Sequence, residues 1–383
     1  MNKNDNLEII RGLAALVVVL CHIIGKIPIP IFQKSVLFSL LGNWGTEAVI
    51  IFFVLSGIVI GISQEAKPKD RSAFIKNRLL RIIPIFLIGF LLSLIANILY
   101  HHSLPSISVM LGSLFFVSTL QGWIVEPLEF NPVIWSLSFE MFFYLIFSLT
   151  INNKKVALIL WCLLSVLCIP LYYTASITSG IAKHFIAMFA FSSIWLVGYF
   201  IQKNKHRFCF NFVNALFSLF TLPLVSRLSI TADHYDVIKY LIFAFLSVPL
   251  FGYILKPVRL KFNNALGLQI SITLILITFL HFYSESSAYN KLIYSALPFA
   301  AFLVLGFKNF FVRVYAVVSP SLVFLGGISY SLYVLHYPII FLTLFFLTNY
   351  LFLVILISLP SVFLVCIFLE KIYQKRIMSF IRR

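Results

Sequence analysis

The chain has 383 residues, of which 61% are hydrophobic and only 11% are charged, and its formal net charge is +17. This composition excludes a soluble globular domain of the same size. Apolar runs long enough to cross a bilayer recur along the whole chain, and because they are continuous rather than alternating they favour an all-α polytopic transmembrane bundle over a β-barrel.

Hydropathy predicts ten to twelve spans within a single integral-membrane domain, residues 1–383, with no appended soluble domain. A weaker segment, 106–124, is expected to be re-entrant or interfacial, because it contains Gly, Ser and Gln and is bounded by prolines. The predicted spans are 7–25, 42–62, 82–100, 132–151, 156–174, 184–201, 208–226, 237–255, 262–281, 291–307, 320–345 and 349–369.

The basic residues predict the orientation of the chain. With both termini in the cytoplasm, most of the 29 Lys and Arg residues fall in cytoplasmic segments, as the positive-inside rule expects. The excess of positive charge is therefore a topology signal, and no nucleic-acid partner is expected. No His/Cys cluster has the spacing of a zinc site, so no metal is expected either.

The first span, "IIRGLAALVVVLCHIIG" at 9–25, carries Arg11 and His22. Eleven residues of α-helix make roughly three turns and rise about 16 Å, so both side chains lie on one stripe. Ionisable groups inside spans are costly and are functional by default. Besides this pair, the apolar spans contain Glu8, Glu47, Glu140 and His336.

The stretch "KNRLLRIIP" at 76–84 places Arg78 and Arg81 on one helical face, where a cytoplasmic loop enters the third span. One interpretation is a positive-inside anchor. The other is a phosphate clamp, because guanidinium groups form bidentate hydrogen bonds with phosphates.

The stretch "WSLSFEMFFYL" at 135–145 begins with Trp135, which is expected to mark an outer membrane interface. Glu140 lies five residues further along, about 7.5 Å deeper in a helix. A buried carboxylate must pair with a group on another helix or take up a proton. Both a structural hydrogen bond and a functional role stay open from the residues alone.

The stretch "GGISYSLYVLHYP" at 326–338 places Ser329 and His336 on one face, with Tyr333 one turn from His336. Its glycines permit close helix packing. Tyr333 and His336 are candidates for catalysis and equally for anchoring at the membrane interface.

In order and spacing these elements resemble the integral-membrane acyltransferase 3 family, whose members O-acylate cell-surface polysaccharides. The elements that carry the resemblance are "LEIIRGLAALVVVLCH" at 7–22, "FFVLSG" at 52–57, Arg78-x-x-Arg81, Trp135-Ser136-Leu137 followed by Glu140, and "GGISYSLYVLHYP". The chain departs from the family pattern at Ile50, where many members carry an acid, and Glu47 lies one turn earlier.

The resemblance implies transfer of an acetyl or other short acyl group from cytoplasmic acetyl-CoA to a sugar hydroxyl of a cell-surface polysaccharide or lipid-linked glycan, in a bacterial inner membrane. It implies catalytic roles for His22 and Glu140, with His22 as base or acyl carrier and Glu140 holding His22 or binding the acceptor. Donor binding would fall to Arg11, Arg78 and Arg81. Acceptor-side or structural roles would fall to Glu47, Trp135, Ser329, Tyr333 and His336.

Two other classes fit the residues less well. A proton-coupled transporter or flippase of a glycan or small solute would use intramembrane His and Glu, but it predicts symmetry between the halves, which the sequence does not show. In a non-catalytic scaffold, the arginine pair and His22 would only anchor helices.

Overall fold

The computed structural model describes residues 3–26, 44–151, 154–174, 177, 179–208, 210–228, 236–258, 264–283, 288–348 and 350–373. Over these residues the regular structure is helical and no strand forms, apart from an isolated bridge between Ser118 and Val125. The predicted all-α polytopic helical bundle is confirmed. The two chain ends, which the sequence places in the cytoplasm, lie outside the described residues.

The helices follow the apolar runs, because a backbone in lipid must satisfy its own hydrogen bonds. Short 3₁₀ turns occur at Pro132–Ile134 and Leu297–Phe299, and a π-helical turn occurs at Phe368–Tyr373. The α-helices are α1 Lys3–Lys26, α2 Gly45–Ala66, α3 Arg71–His101, α4 Ile107–Leu114, α5 Trp135–Thr150, α6 Lys154–Tyr172, α7 Gly180–Lys203, α8 Phe212–Ser226, α9 Val237–Leu246, α10 Val248–Leu255, α11 Asn264–Tyr283, α12 Ala288–Ala296, α13 Ala300–Gly306, α14 Lys308–Gly327, α15 Ser329–Phe346 and α16 Leu351–Ile367.

Among the described residues, ten helical segments are long and apolar enough to cross a membrane, which agrees with the lower end of the predicted range. The predicted spans 208–226, 262–281 and 291–307 instead correspond to shorter apolar helices. The last of these is interrupted where Pro298 removes a backbone donor and fixes its own φ angle.

The predicted span 320–345 is divided between two helices. Helix α14 ends at Gly327 and α15 begins at Ser329. Helix α14 is itself apolar and long enough to cross a membrane. The sequence analysis began the span at residue 320, because Lys308 and Arg313 indicated a cytoplasmic loop before it. The weak segment 106–124 contains only the eight-residue α4, which is too short to cross a bilayer. Its re-entrant or interfacial placement stays a prediction.

The chain forms two compact units. The first contains Met1–Arg11, Thr46–Lys67 and Ser193–Phe324. In it, helices α2 and α7 touch through their backbones. A Cβ atom built on Gly57 would lie 2.2 Å from the Trp195 carbonyl oxygen, and one on Gly198 would lie 2.0 Å from the Val54 carbonyl oxygen. Only glycine permits this approach.

The second unit contains Gly12–Gly45, Pro68–Ser192 and Leu325–Arg383. Helix α15 is its central element. The Tyr330 hydroxyl donates to the Ile82 carbonyl over 2.8 Å, and the Tyr100 hydroxyl donates to the Phe341 carbonyl over 3.0 Å, so α3 runs parallel to α15. This arrangement brings three of the sequence motifs together.

Candidate active site

The two histidines of the membrane helices meet in the second unit. Nε2 of His336 lies 3.1 Å from Nδ1 of His22, and the ring centroids are 5.1 Å apart. His336 is fully buried, whereas His22 is partly accessible. The edge of the His22 ring also contacts the Tyr337 ring, with centroids 5.1 Å apart. We call His22 and His336 the histidine pair.

Backbone carbonyls determine the tautomers of the neutral pair. Nδ1 of His336 lies 2.9 Å from the Leu332 carbonyl oxygen, and Nδ1 of His22 lies 2.9 Å from the Val18 carbonyl oxygen. A carbonyl oxygen can only accept, so both Nδ1 atoms carry the proton. Nε2 of His336 then accepts from His22, and Nε2 of His22 keeps a lone pair. The geometry therefore presents a base.

Three neighbouring motif residues have structural contacts. The Tyr333 hydroxyl donates to the Val133 carbonyl over 2.6 Å and lies 2.7 Å from the Ser136 hydroxyl, which joins α15 to the start of α5. The Ser329 hydroxyl donates to the Gly326 carbonyl over 2.7 Å. Trp135 is only 5% exposed and packs edge-on against Phe139, so its ring is inside the protein.

A second group of polar residues surrounds Tyr330 in the same unit. Tyr330 lies within electrostatic range of Glu140, Glu370 and Arg81. The Tyr144 hydroxyl donates to Glu140, and the Ser331 N–H donates to Glu370 over 3.3 Å. We call Arg78, Arg81, Glu140, Tyr330 and Glu370 the charged cluster.

The predicted arginine pair belongs to this cluster, and its two members differ. The Arg78 guanidinium lies 5.4 Å from the Phe74 ring centroid and 5.3 Å from that of Tyr144. Within the described part of the chain Arg78 has these rings and no ion-pair partner. Arg81 is exposed and interacts electrostatically with Glu370. Arg78 is thus a fixed cation that can bind an anion.

The structure places Glu140 differently from the sequence expectation that it holds His22. The ring nitrogen that contacts His22 belongs to His336, and the hydroxyl that donates to Glu140 belongs to Tyr144. Glu140 lies one turn from Tyr144 on α5, on the face that approaches Tyr330. The sequence spacing within one helix predicts how deep a residue lies in the membrane, but it does not predict which neighbouring helix the side chain contacts.

The start of α3 also lines an open cavity of about 670 Å³. Two cations, Arg71 and Lys76, lie at its wall with the hydroxyls of Ser72 and Ser148. Leucine and isoleucine side chains complete the lining, namely Ile75, Leu79, Leu80 and Leu145. The cavity combines positive charge with apolar surface.

Two further predicted residues lie in the first unit. Arg11 forms an ion pair with Glu8, at 2.6 Å between Nη1 and Oε1. Glu47 is only 4% exposed, and its Oε1 lies 3.2 Å from Nζ of Lys239. The sequence did not predict this buried pair, because Lys239 reads as an ordinary basic residue at the start of a span.

Sequence reasoning also missed two members of the charged cluster. Tyr330 belongs to the quoted motif but carried no role, and Glu370 reads as an acid at the end of a span. Tyr330 lies six residues before His336 on helix α15. One helix therefore carries a member of the charged cluster and a member of the histidine pair, and this shared helix is the signal that could have revealed Tyr330. Within the described ranges, no set of three or more His, Cys, Asp or Glu side chains is grouped as a metal site.

Comparison with known proteins agrees with the motifs. The sequence model of the family described as "Acyltransferase domain" matches residues 4–371. The chain is 34% identical over 173 residues to the acyltransferase MdmB of Streptomyces mycarofaciens, covering 42% of this chain and 44% of that protein. It is 29% identical over 109 residues to the exopolysaccharide production protein ExoZ of Rhizobium meliloti (strain 1021), covering 27% of this chain and 33% of that protein.

The chain therefore aligns with less than half of the length of either relative. No solved structure matches it.

Proposed function

The chain belongs to the membrane acyltransferase family whose model it matches over residues 4–371, and from that premise we propose that it transfers an acetyl or other short acyl group from acyl-CoA to a sugar hydroxyl. The acceptor is a cell-surface polysaccharide or a lipid-linked glycan, and the protein acts in a bacterial inner membrane. The printed name of ExoZ, an exopolysaccharide production protein, supports a polysaccharide acceptor. The single observation that supports the chemistry best is the histidine pair.

His22 is the proposed general base. The lone pair on its Nε2 takes the proton of the sugar hydroxyl as the oxygen attacks the thioester carbonyl carbon. The new C–O bond forms, the C–S bond breaks, and the departing thiolate of coenzyme A takes the proton back from His22. The products are the acylated sugar and the free thiol of coenzyme A.

His336 is the proposed partner that orients this base. In the protonated intermediate, the Nδ1–H of His22 still donates to Nε2 of His336 and to the Val18 carbonyl, over the observed 3.1 and 2.9 Å. The Nδ1–H of His336 stays on the Leu332 carbonyl. The neutral imidazole of His336 thus orients His22, as a carboxylate orients the histidine of a Ser-His-Asp triad.

The charged cluster is the proposed donor side. Coenzyme A carries several phosphates, and a stacked guanidinium such as Arg78 presents fixed N–H donors to them. Arg81 is proposed to add charge, and the orientation expected from the Lys and Arg residues puts the start of α3 at the cytoplasm. A donor-binding role for Arg11, in the first unit, stays a prediction. Glu140 is proposed to act here rather than on His22, because it accepts from Tyr144 and lies within electrostatic range of Tyr330.

Glu47 is the proposed acceptor-side residue. A buried carboxylate held by a single lysine can accept hydrogen bonds from sugar hydroxyls. It lies in the first turn of α2, at the end that the predicted orientation places outside the cytoplasm.

Mass spectrometry of surface glycans from cells with and without this protein tests the proposal. We expect glycan species heavier by one acyl group only when the protein is present, and the mass difference identifies that group. Purified protein given labelled acyl-CoA and the isolated glycan must then reproduce the transfer. Identical glycan masses in both strains would contradict the proposed function.

A further inference from the structure

A proline close to His336 changes the hydrogen bonding of α15. Pro338 lies inside this helix, two residues after His336. In an α-helix the N–H of residue 338 would donate to the carbonyl of Val334, but proline has no N–H. The Val334 carbonyl therefore lacks its helical donor, in the same turn that carries His336.

Asn131 supplies the missing donor. Its Nδ2 lies 3.0 Å from the Val334 carbonyl oxygen, and the side chain is completely buried. The backbone of Asn131 is held on both sides, because its N–H donates to Leu128 over 3.0 Å and its carbonyl accepts from Ile134 over 3.3 Å. Pro132 follows directly and fixes the 3₁₀ turn that leads into α5. The Nδ2 donor of Asn131 therefore belongs to a turn whose backbone is fixed by hydrogen bonds and by Pro132.

Of the two polar atoms of the Asn131 amide, Nδ2 is the one with a hydrogen bond among the described residues. Its Oδ1 is buried and has no hydrogen-bond partner among the described residues. Leaving a buried acceptor unsatisfied costs about 1–3 kcal/mol. An apolar side chain would avoid this cost, so the value of the asparagine lies in the bond to Val334.

Helix α3 also approaches α15 closely at Val334. A Cβ atom on Gly89 would lie 2.6 Å from Cγ1 of Val334 and 3.2 Å from its carbonyl oxygen. The helix turn that carries His336 is therefore fixed by Gly89 packing on one side and by the Asn131 hydrogen bond on another. The carbonyl that holds the His336 ring, Leu332, lies in that same turn.

We infer that Asn131 is a positioning residue for the acyl transfer proposed above: by binding the carbonyl that Pro338 leaves free, it fixes the turn of α15 that aligns His336 with His22. The inference rests on the proposed function for its kinetic consequence. Its structural part, that Asn131 replaces the N–H missing at Pro338, is independent of the reaction.

The test is a double-mutant cycle between Asn131 and Pro338. Asn131→Leu keeps a branched side chain without a donor, and Asn131→Ala serves as a second variant should the leucine not fit. Each is expected to lower kcat about tenfold or more, the size typical of residues that orient a functional side chain. The KM for acyl-CoA should stay unchanged, because the donor side is untouched.

Pro338→Ala restores the backbone N–H that can bond Val334. In that background the same Asn131 substitutions should change kcat by less than about threefold, because the lost donor has been replaced within the helix. Asn97→Leu is the matched control. Asn97 is another buried asparagine of this unit, whose Nδ2 donates to the Ser103 carbonyl over 2.9 Å, and Pro338→Ala should not alter the effect of its replacement.

Hydrogen–deuterium exchange provides a readout that does not depend on catalysis. Exchange over residues 329–346 should rise in Asn131→Leu and return toward the wild-type level when Pro338→Ala is added. Equal losses in both backgrounds, or a wild-type kcat in Asn131→Leu, would overturn the inference. Wild-type protein that transfers no acyl group would instead contradict the proposed function and leave the exchange experiment to decide the role of Asn131.

Discussion

The histidine pair and the charged cluster share helix α15 but are built in opposite ways. Tyr330 and His336 are six residues apart, which is about 9 Å along an α-helix. In the histidine pair, neutral rings are held by backbone carbonyls, and His336 is fully buried. In the charged cluster, arginines are held by aromatic faces and carboxylates, and Arg81 is exposed.

The difference follows from what each region is proposed to do. A base must keep one tautomer and one orientation, and backbone carbonyls fix both without adding a charge to the membrane interior. A site for an anion that arrives from water must keep its cations within reach of water. The comparison predicts that substitutions in the pair lower kcat, whereas substitutions of the arginines in the cluster raise the KM for acyl-CoA.

The largest effect is expected at His22. His22→Gln keeps a group that can hydrogen-bond to Val18 but removes the base, so kcat should fall by about 10²–10⁴-fold. Binding of acyl-CoA, measured by titration of the purified protein, should be unchanged. Near-normal acylation of the surface glycan by His22→Gln at equal membrane protein level would make the histidine structural and end the contrast between the regions.

The next effect is expected at His336. His336→Gln leaves His22 without its imidazole partner, and kcat should fall about 10–100-fold with an unchanged KM for acyl-CoA. Tyr333→Phe is the matched control one turn away, because it keeps the ring and removes the hydroxyl that joins α15 to Val133 and Ser136. If both variants lose the same fraction of kcat, then the observed His22–His336 contact has no special role.

A smaller effect, on the affinity for acyl-CoA rather than on kcat, is expected at Arg78. Arg78→Ala removes a charged donor, and hydrogen bonds to charged groups contribute about 1.5–3 kcal/mol, so the affinity for acyl-CoA should fall at least about tenfold. Rate measurements at saturating donor should show a wild-type kcat. Arg78→Lys should recover only part of the affinity, because lysine lacks the planar bidentate geometry. Unchanged donor affinity in both variants would place the phosphates elsewhere.

The smallest effect is expected at Glu140. Glu140→Gln keeps an oxygen that can accept from Tyr144 and removes one negative charge from the cluster. The KM for acyl-CoA should change by less than about tenfold, since a single charge at a partly exposed site is worth about 1 kcal/mol. A loss of kcat as large as that of His22→Gln would return Glu140 to the chemical step, as the sequence alone suggested.

The sequence by itself determined the class of fold and singled out the candidate site residues. Lipid cannot satisfy a backbone donor or acceptor, so long apolar runs must be helices, and the few ionisable groups within them stand out. This reasoning found His22, His336, Glu140 and the Arg78–Arg81 pair. It also found the "GGISYSLYVLHYP" element, whose helix proves to be the centre of the second unit.

The tertiary structure decided which of these residues meet. Periodicity places a side chain on a face of its own helix, but the partner depends on how neighbouring helices are rotated and displaced. Glu140 was expected near His22, but it accepts from Tyr144 and lies within electrostatic range of Tyr330, whereas the ring nitrogen beside His22 belongs to His336, 314 positions away in sequence. The role inferred for Asn131 depends on the same kind of contact, because only packing brings its amide to the carbonyl that Pro338 leaves without a donor.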